Sequence, residues 1–145
     1  IALADETSPF FFPASRVGWD TRKKDLDYAL LRRMISEFRK VQPCLLGDFY
    51  PLTPYSLQKN AWIAWQYDEP ELGGGAVQAF RREEAVEETM TFKLGGLDPR
   101  AAYTVEDLDT GKAEKATGKD LMENGLRVAM TSRPHAALFV YRKER

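Results

Sequence analysis

The hydrophobic period of this chain changes once, from about 3.6 to two, and that change restricts the fold more than any other feature. From Lys24 onward, Leu26, Leu30, Met34, Phe38 and Val41 recur at three- or four-residue steps, and Leu31 and Ile35 widen the same stripe. This spacing predicts one amphipathic helix, with Arg32, Arg33, Glu37 and Lys40 on its polar side. Asp25 and Asp27 fall in its first turn, Arg39 and Lys40 fall in its last, as the helix dipole favours, and Pro43 stops it. After residue 58 the apolar residues alternate instead: Met90, Phe92 and Leu94 with Thr89, Thr91 and Lys93, then Leu126, Val128 and Met130 with Arg127, Ala129 and Thr131. Such alternation builds half-buried strands.

Less regular strand-like runs lie at 60–67, 75–82, 102–108 and 135–142, separated by Gly73-Gly74-Gly75, Gly95-Gly96, Asp98-Pro99, Asp109-Thr110-Gly111 and Asn124-Gly125. A short strand at 112–116 completes a hairpin, and 118–124 fits one helical turn. The expected fold is therefore mainly β: an antiparallel sandwich of about seven strands, preceded by an irregular segment and one long amphipathic helix. Residues 1–23, with Pro9, Phe10, Phe11, Phe12, Pro13 and Gly18-Trp19-Asp20, are too rich in Pro and Gly for a long regular element. Pro43, Gly47, Pro51 and Pro54 mark a boundary near 42–58, giving a first part at 1–46 and a sandwich at 47–145.

Composition narrows the partners. The chain has 21 Lys plus Arg against 22 Asp plus Glu, a net charge of -1, so no overall field favours nucleic acid or an anionic membrane. The apolar runs are far shorter than the roughly 18 residues of a membrane span, and no basic stretch leads into an apolar run at the start, so a soluble chain without a signal peptide is expected. Its single cysteine, Cys44, forbids an internal disulfide and assigns no compartment. With 145 residues the chain is also too short for a complete (β/α)8 barrel, which takes roughly 200 or more.

Few residues suggest chemistry. His135 is the only histidine, which argues against a zinc site and leaves any His-activated nucleophile to be built around it alone. No metal and no cofactor are expected. The glycine clusters match neither a P-loop nor a dinucleotide fingerprint. Arg81-Arg82-Glu83-Glu84 reads as a solvated strand end whose charges cancel. Glycoside hydrolysis needs two flanking carboxylates, and Asp20 and Asp48 are set apart by lying in aromatic, irregular segments; helix capping and turn bonding explain them equally well. Trp62, Trp65 and Tyr67 offer faces on which a sugar ring could stack, although Trp62 and Trp65 are an odd number apart and belong on opposite faces of a strand.

The run Leu45-Leu46-Gly47-Asp48-Phe49-Tyr50-Pro51-Leu52-Thr53-Pro54-Tyr55-Ser56 resembles the C-terminal part of α-galactosidase-like enzymes of glycoside hydrolase family 36 and its clan D relatives. The resemblance continues through Trp62 to Gln66, Gly75 to Arg82, Gly96-Leu97-Asp98-Pro99, Thr117-Gly118 and Gly125-Leu126, while Gly18-Trp19-Asp20 and the helix look like the end of a preceding barrel. It implies that a (β/α)8 barrel outside this chain supplies both catalytic aspartates of a retaining α-galactosidase-like hydrolase, so no catalytic residue is assigned here. It further implies a non-catalytic support domain packed on that barrel, with Trp19 and Asp20 near the rim of the sugar pocket. The alternative is an autonomous carbohydrate-binding module that exposes Trp62, Trp65 and Tyr67.

Overall fold

The computed structural model describes residues 27–144. Trp19, Asp20 and the Phe10–Phe12 run lie outside the described residues. The first described element is helix α1 (Tyr28–Val41), whose N-cap is Asp27: its carboxylate accepts the backbone N–H groups of Ala29 and Leu30 at 3.0 and 2.9 Å. Such a cap satisfies two of the four orphan donors at a helix start. A 3-10 turn, Gln42–Cys44, with Pro43 inside it, ends the helix.

The strands follow in the order β1 (Asp48–Pro51), β2 (Trp62–Glu69), β3 (Gly74–Arg81), β4 (Thr89–Phe92), β5 (Ala102–Asp107), β6 (Ala113–Thr117), β7 (Leu126–Ala129) and β8 (His135–Lys143), with a short helix α2 (Gly118–Glu123) between β6 and β7. Six form one antiparallel sheet in the order β1-β2-β3-β8-β5-β6, and β4 and β7 form a second. The fold is thus mainly β and sandwich-like. Among the described residues the strands number eight instead of about seven. The additional one is β1, a four-residue edge strand that includes Pro51. Proline is tolerated there because an edge strand has one side without ladder bonds.

Register decides which side chains meet. Along β2, Trp62, Ala64, Gln66 and Asp68 are buried and face Arg81, Ala79, Val77 and Gly75 across the β2–β3 pair. This inward face, extended by Phe139 and Tyr141 of β8 and Tyr103 and Val105 of β5, packs on Phe92, Leu94, Leu97, Val128 and Met130 from the second sheet and its loops. The opposite face of the large sheet carries Ala76, Leu138 and Val140, and onto it fold Val41 and Phe38 of α1 and Leu45 just beyond. Each large apolar side chain withdrawn from water in these two cores contributes about 1.5–3 kcal/mol. The large sheet is therefore covered by the second sheet on one face and by the helix on the other.

Two helix residues depart from the expected pattern. Glu37, expected on the polar side, is 8% exposed and accepts a 2.7 Å hydrogen bond from Arg33 Nε. Ile35, expected in the sheet-facing stripe, remains 38% exposed. The helix is tied to the sheet's far side by Lys40 to Glu106 at 2.7 Å and by Arg33 to Asp109 at 3.5 Å. Among the described residues, no helix is long and apolar enough to cross a membrane.

Candidate functional site

Trp62, Trp65 and Tyr67 all lie on β2, but the pleat divides them. Trp62 points into the sandwich core at 4% exposure, tilted against Phe92 with ring centroids 6.1 Å apart, and its indole N–H donates to the Glu87 carbonyl at 3.0 Å. Its ring is not presented to solvent. Trp65 and Tyr67 are half-buried on the opposite, helix-bearing face. The Trp65 ring lies 5.0 Å from Phe80 and its N–H donates to Gln78 at 2.8 Å, while Tyr67 is 5.5 Å from the exposed ring of Phe49 on β1. Register sets Phe49 opposite Tyr67 and Pro51 opposite Trp65, so these four residues line one strip at the sheet edge.

Asp48, singled out in the sequence, sits directly opposite Asp68 in the β1–β2 register. Directly opposed Cβ atoms are roughly 4.5–5.5 Å apart, near enough for the two carboxylates to repel. Asp68 was not anticipated, and it is the more constrained of the two. It is 4% exposed and accepts a 2.6 Å hydrogen bond from the Tyr141 hydroxyl, which in turn accepts one from the Gln66 amide at 2.7 Å. Gln66 also exchanges two 2.8 Å bonds with the backbone of Gly95, using both ends of its amide. Burial pushes the Asp68 carboxyl above the ordinary carboxylate range; the Tyr141 bond opposes that shift, and the charges of Asp48 and Glu69 reinforce it. Burial and the adjoining Asp68 likewise hold the Tyr141 phenol far above its usual value.

Glycines give this network its space. A Cβ on Gly75 would collide with the Tyr141 hydroxyl and the Tyr67 carbonyl. Gly96, at a φ of 75°, brings its backbone so close that a Cβ would lie 2.8 Å from the Tyr50 hydroxyl and 2.9 Å from Asp68 Oδ2. A positive φ and a close approach are the two circumstances that call for glycine. The sequence signal was the inward alternation Trp62-Ala64-Gln66-Asp68, which sets two polar side chains on a face otherwise filled by the core.

Arg81 also departs from expectation. It is no solvated strand end: at 3% exposure its guanidinium donates to the carbonyls of Ala85, Val86, Met130 and Thr131 at 2.6–3.3 Å. Arg133 adds a 2.9 Å bond to the Ala85 carbonyl, and Arg82 reaches those of Ser56 and Gln58 at 3.1 and 2.6 Å. Three guanidinium groups thus sew together the loops at one end of the sandwich.

A cleft of about 320 Å³ opens between the 3-10 turn and β3 and β8, lined by Pro43, Cys44, Leu72, Gly74 and Val140, with Lys40 and Arg142 also on its wall. Among the described residues its lining contains no carboxylate to act as the acid or the nucleophile of glycoside hydrolysis. The Cys44 thiol is buried there, and burial pushes its pKa up, away from the reactive thiolate. His135 opens β8 on the inward face, opposite Arg81. Among the described residues, no group of three or more His, Cys, Asp and Glu could hold a metal ion. Asp68, the least exposed carboxylate among the described residues, is committed to Tyr141 and faces the core, so the pair it forms with Asp48 does not flank a space for substrate.

These features define a β-sandwich whose buried polar groups bond to one another and to the backbone. The comparisons with known proteins give that architecture its family: the profile of the glycosyl hydrolase family 36 C-terminal domain matches residues 62–141, and the chain belongs to this family. Solved structures agree in fold. The galactosidase domain of the α-galactosidase–sucrose kinase AgaSK superposes with a TM-score of 0.65 at 22% identity, over 83% of this chain. The family 36 α-galactosidase AgaA from Geobacillus stearothermophilus gives 0.65 at 20% identity over 83%, and the α-galactosidase from Lactobacillus brevis gives 0.65 at 16% over 84%. This chain spans 17% of the length of each of those three. No curated protein sequence matches it.

Proposed function

We propose that this chain is the non-catalytic C-terminal support region of a retaining α-galactosidase-like glycoside hydrolase, packed against a (β/α)8 catalytic barrel most of which lies outside the 145 residues. The observation that carries the reading is the family match over residues 62–141 in a chain that spans only 17% of the α-galactosidases it superposes on. The inward commitment of Asp68, Gln66 and Arg81 supports it, because these groups hold the sandwich together and are not free to act on a substrate. In this reading residues 1–46 end the barrel, residues 47–145 form the support domain, and Trp19 and Asp20 lie by the sugar pocket of the whole enzyme. Removing residues 47–145 from the parent enzyme is expected to lower the unfolding temperature of what remains. An unchanged melt would refute the supporting role.

One observation favours a second reading, an autonomous carbohydrate-binding module. Trp65, Tyr67, Phe49 and Pro51 share a strip at the sheet edge, and aromatic faces of this kind stack on sugar rings. Titration calorimetry of this chain with an α-galactoside separates the two. A support domain gives no binding heat, whereas a module binds unaided and loses that binding in Trp65→Ala.

A further inference from the structure

A hollow remains where the 3-10 turn meets the ends of β3 and β8. Along β8, Val140 and Arg142 belong to the helix-bearing face, while Tyr141 between them points into the sandwich. Gly74 lies opposite Arg142 across the β3–β8 pair and has no side chain to fill the space; a Cβ there would sit 3.5 Å from Arg142 Cγ. The result is the cleft of about 320 Å³, with Pro43, Leu72, Val140 and the Cys44 thiol in its lining and Arg142 on its wall. That volume is at the small end of the range for small-molecule pockets, about 300–1,000 Å³.

The charges around the hollow do not cancel. Lys40, on the same wall, is neutralised by Glu106 at 2.7 Å. Arg142 is exposed and, among the described residues, has no carboxylate within ion-pair distance. The Cys44 thiol senses it: burial raises its pKa most, and of the charges that act on it Arg142 is the strongest, against weaker ones from Glu69 and Asp68. One free positive charge beside apolar walls suits a ligand with one negative charge and an apolar body. A dianion would meet the nearby carboxylates of Glu106, Glu69 and Asp68 with one charge left over. The guanidinium fork presents two parallel N–H donors, which a planar carboxylate accepts with both oxygens.

We propose that this cleft is a binding site for a small organic monocarboxylate, with the carboxylate paired to Arg142 and the apolar body against Pro43, Leu72 and Val140. The site binds and performs no chemistry on its ligand, and it stands apart from both readings above. It is not a second sugar site: Tyr141, the one aromatic residue in the lining, turns its ring into the core to reach Asp68, so no aromatic face is offered for stacking. A neutral sugar would also leave the Arg142 charge unanswered, whereas the strip of Trp65, Tyr67, Phe49 and Pro51 offers ring faces.

The test uses the full-length parent enzyme, with benzoate as the probe and Cys44 as the reporter. Iodoacetamide alkylates the thiolate: the sulfur forms a bond to the methylene carbon, iodide leaves, and the thiol proton passes to buffer. The rate at Cys44 is read by mass spectrometry of the peptide that carries it, with and without benzoate. At about 10 mM benzoate and a dissociation constant of about 1 mM, alkylation is expected to slow about tenfold. Benzyl alcohol, the neutral analogue, is expected to protect little, and phenyl phosphate less than benzoate. Arg142→Gln is expected to weaken binding about tenfold and so to reduce the protection to about twofold, with Arg142→Lys in between. Equal protection by benzyl alcohol would leave an apolar hollow without an anion site, and stronger protection by phenyl phosphate would refute the single charge. Protection that survives Arg142→Gln would place benzoate elsewhere in the enzyme, and no protection would show the cleft closed to it; each of these results overturns the proposal. Should Cys44 be too buried to alkylate, saturation-transfer NMR of benzoate decides: a signal lost in Arg142→Gln supports the site, and an absent or equal signal refutes it.

Discussion

At one end of the β2–β3 pair, Arg81 gives its guanidinium to four backbone carbonyls; at the other, Gln66, Asp68 and Tyr141 bond to one another and to the backbone of Gly95. Both ends bury polar groups beside the same core, but they do so by different chemistry. The guanidinium is charged at every accessible pH and its planar fork can serve several acceptors that would otherwise be orphaned where two loops meet. The other end depends on a carboxyl group whose charge can change, held against a phenol and opposite a second aspartate. One end should therefore be insensitive to pH and costly to cut, and the other cheaper to cut and sensitive to pH.

The largest effect is expected at the arginine. Arg81→Met retains much of the apolar stem but removes every donor from the carbonyls of Val86, Met130 and Thr131; that of Ala85 keeps its bond from Arg133. Leaving buried acceptors unpaired costs about 1–3 kcal/mol for each that water cannot reach, so a loss of about 4 kcal/mol in urea unfolding is expected. Arg81→Lys should recover only part of it, because an ammonium group cannot span the same acceptors. A loss below about 1 kcal/mol for Arg81→Met would show that the loops hold themselves and would erase the contrast between the ends.

Tyr141→Phe tests the opposite end with a smaller cut. It removes one hydroxyl, which donates to Asp68 and accepts from Gln66, and leaves the ring and its contact with Tyr103 in place. Gln66 keeps its two bonds to Gly95, but the Asp68 oxygen loses its donor and the second N–H of the Gln66 amide loses its acceptor. A destabilisation of about 2 kcal/mol at neutral pH is expected, roughly half that of Arg81→Met. An effect equal to or above that of Arg81→Met would reverse the ranking of the two ends.

The two ends were unequally legible in the sequence, for a physical reason. Clear period-two alternation located β4 and β7, less regular apolar runs between turn signals located β2, β3, β5, β6 and β8, and the helical stripe located α1 because Phe38 and Val41 meet the sheet. β1 was hidden: four residues ending in Pro51 are too short to show a period, and only pairing with β2 makes them a strand. Arg81 was hidden too, because a charge followed by Arg82, Glu83 and Glu84 has the composition of a solvated turn, and the carbonyls that it serves at Met130 and Thr131 are about fifty residues away. Asp68 lay in plain view on β2, yet both faces of that strand mix polar and aromatic residues, so polarity could not choose the inward one. Parity alone did part of the work: the odd spacing of Trp62 and Trp65 requires opposite faces, and they occupy them.

Asp68→Asn gives the smallest effect and the sharpest test of the contrast. The amide oxygen still accepts from Tyr141, so the stability at low pH should change by less than about 1 kcal/mol. The pH dependence should change more. Burial first, and then the charges of Asp48 and Glu69, raise the folded-state pKa of Asp68 above the unfolded carboxylate value of about 3.9. The native state then holds the proton more tightly than the unfolded chain does, so this group's contribution is fully present below the ordinary value and is lost as pH rises through the raised one. Other carboxylates act in the opposite sense, among them Asp98 beside Lys143 and Glu144 beside Lys115, so the informative quantity is the difference between variant and wild type. That difference should favour Asp68→Asn increasingly as pH rises from the ordinary carboxylate value through the raised one, and then level off. A difference that is flat across the window, while Arg81→Met is equally flat, would mean that both ends are insensitive to pH and that Asp68 is no more strained by burial than a surface carboxylate.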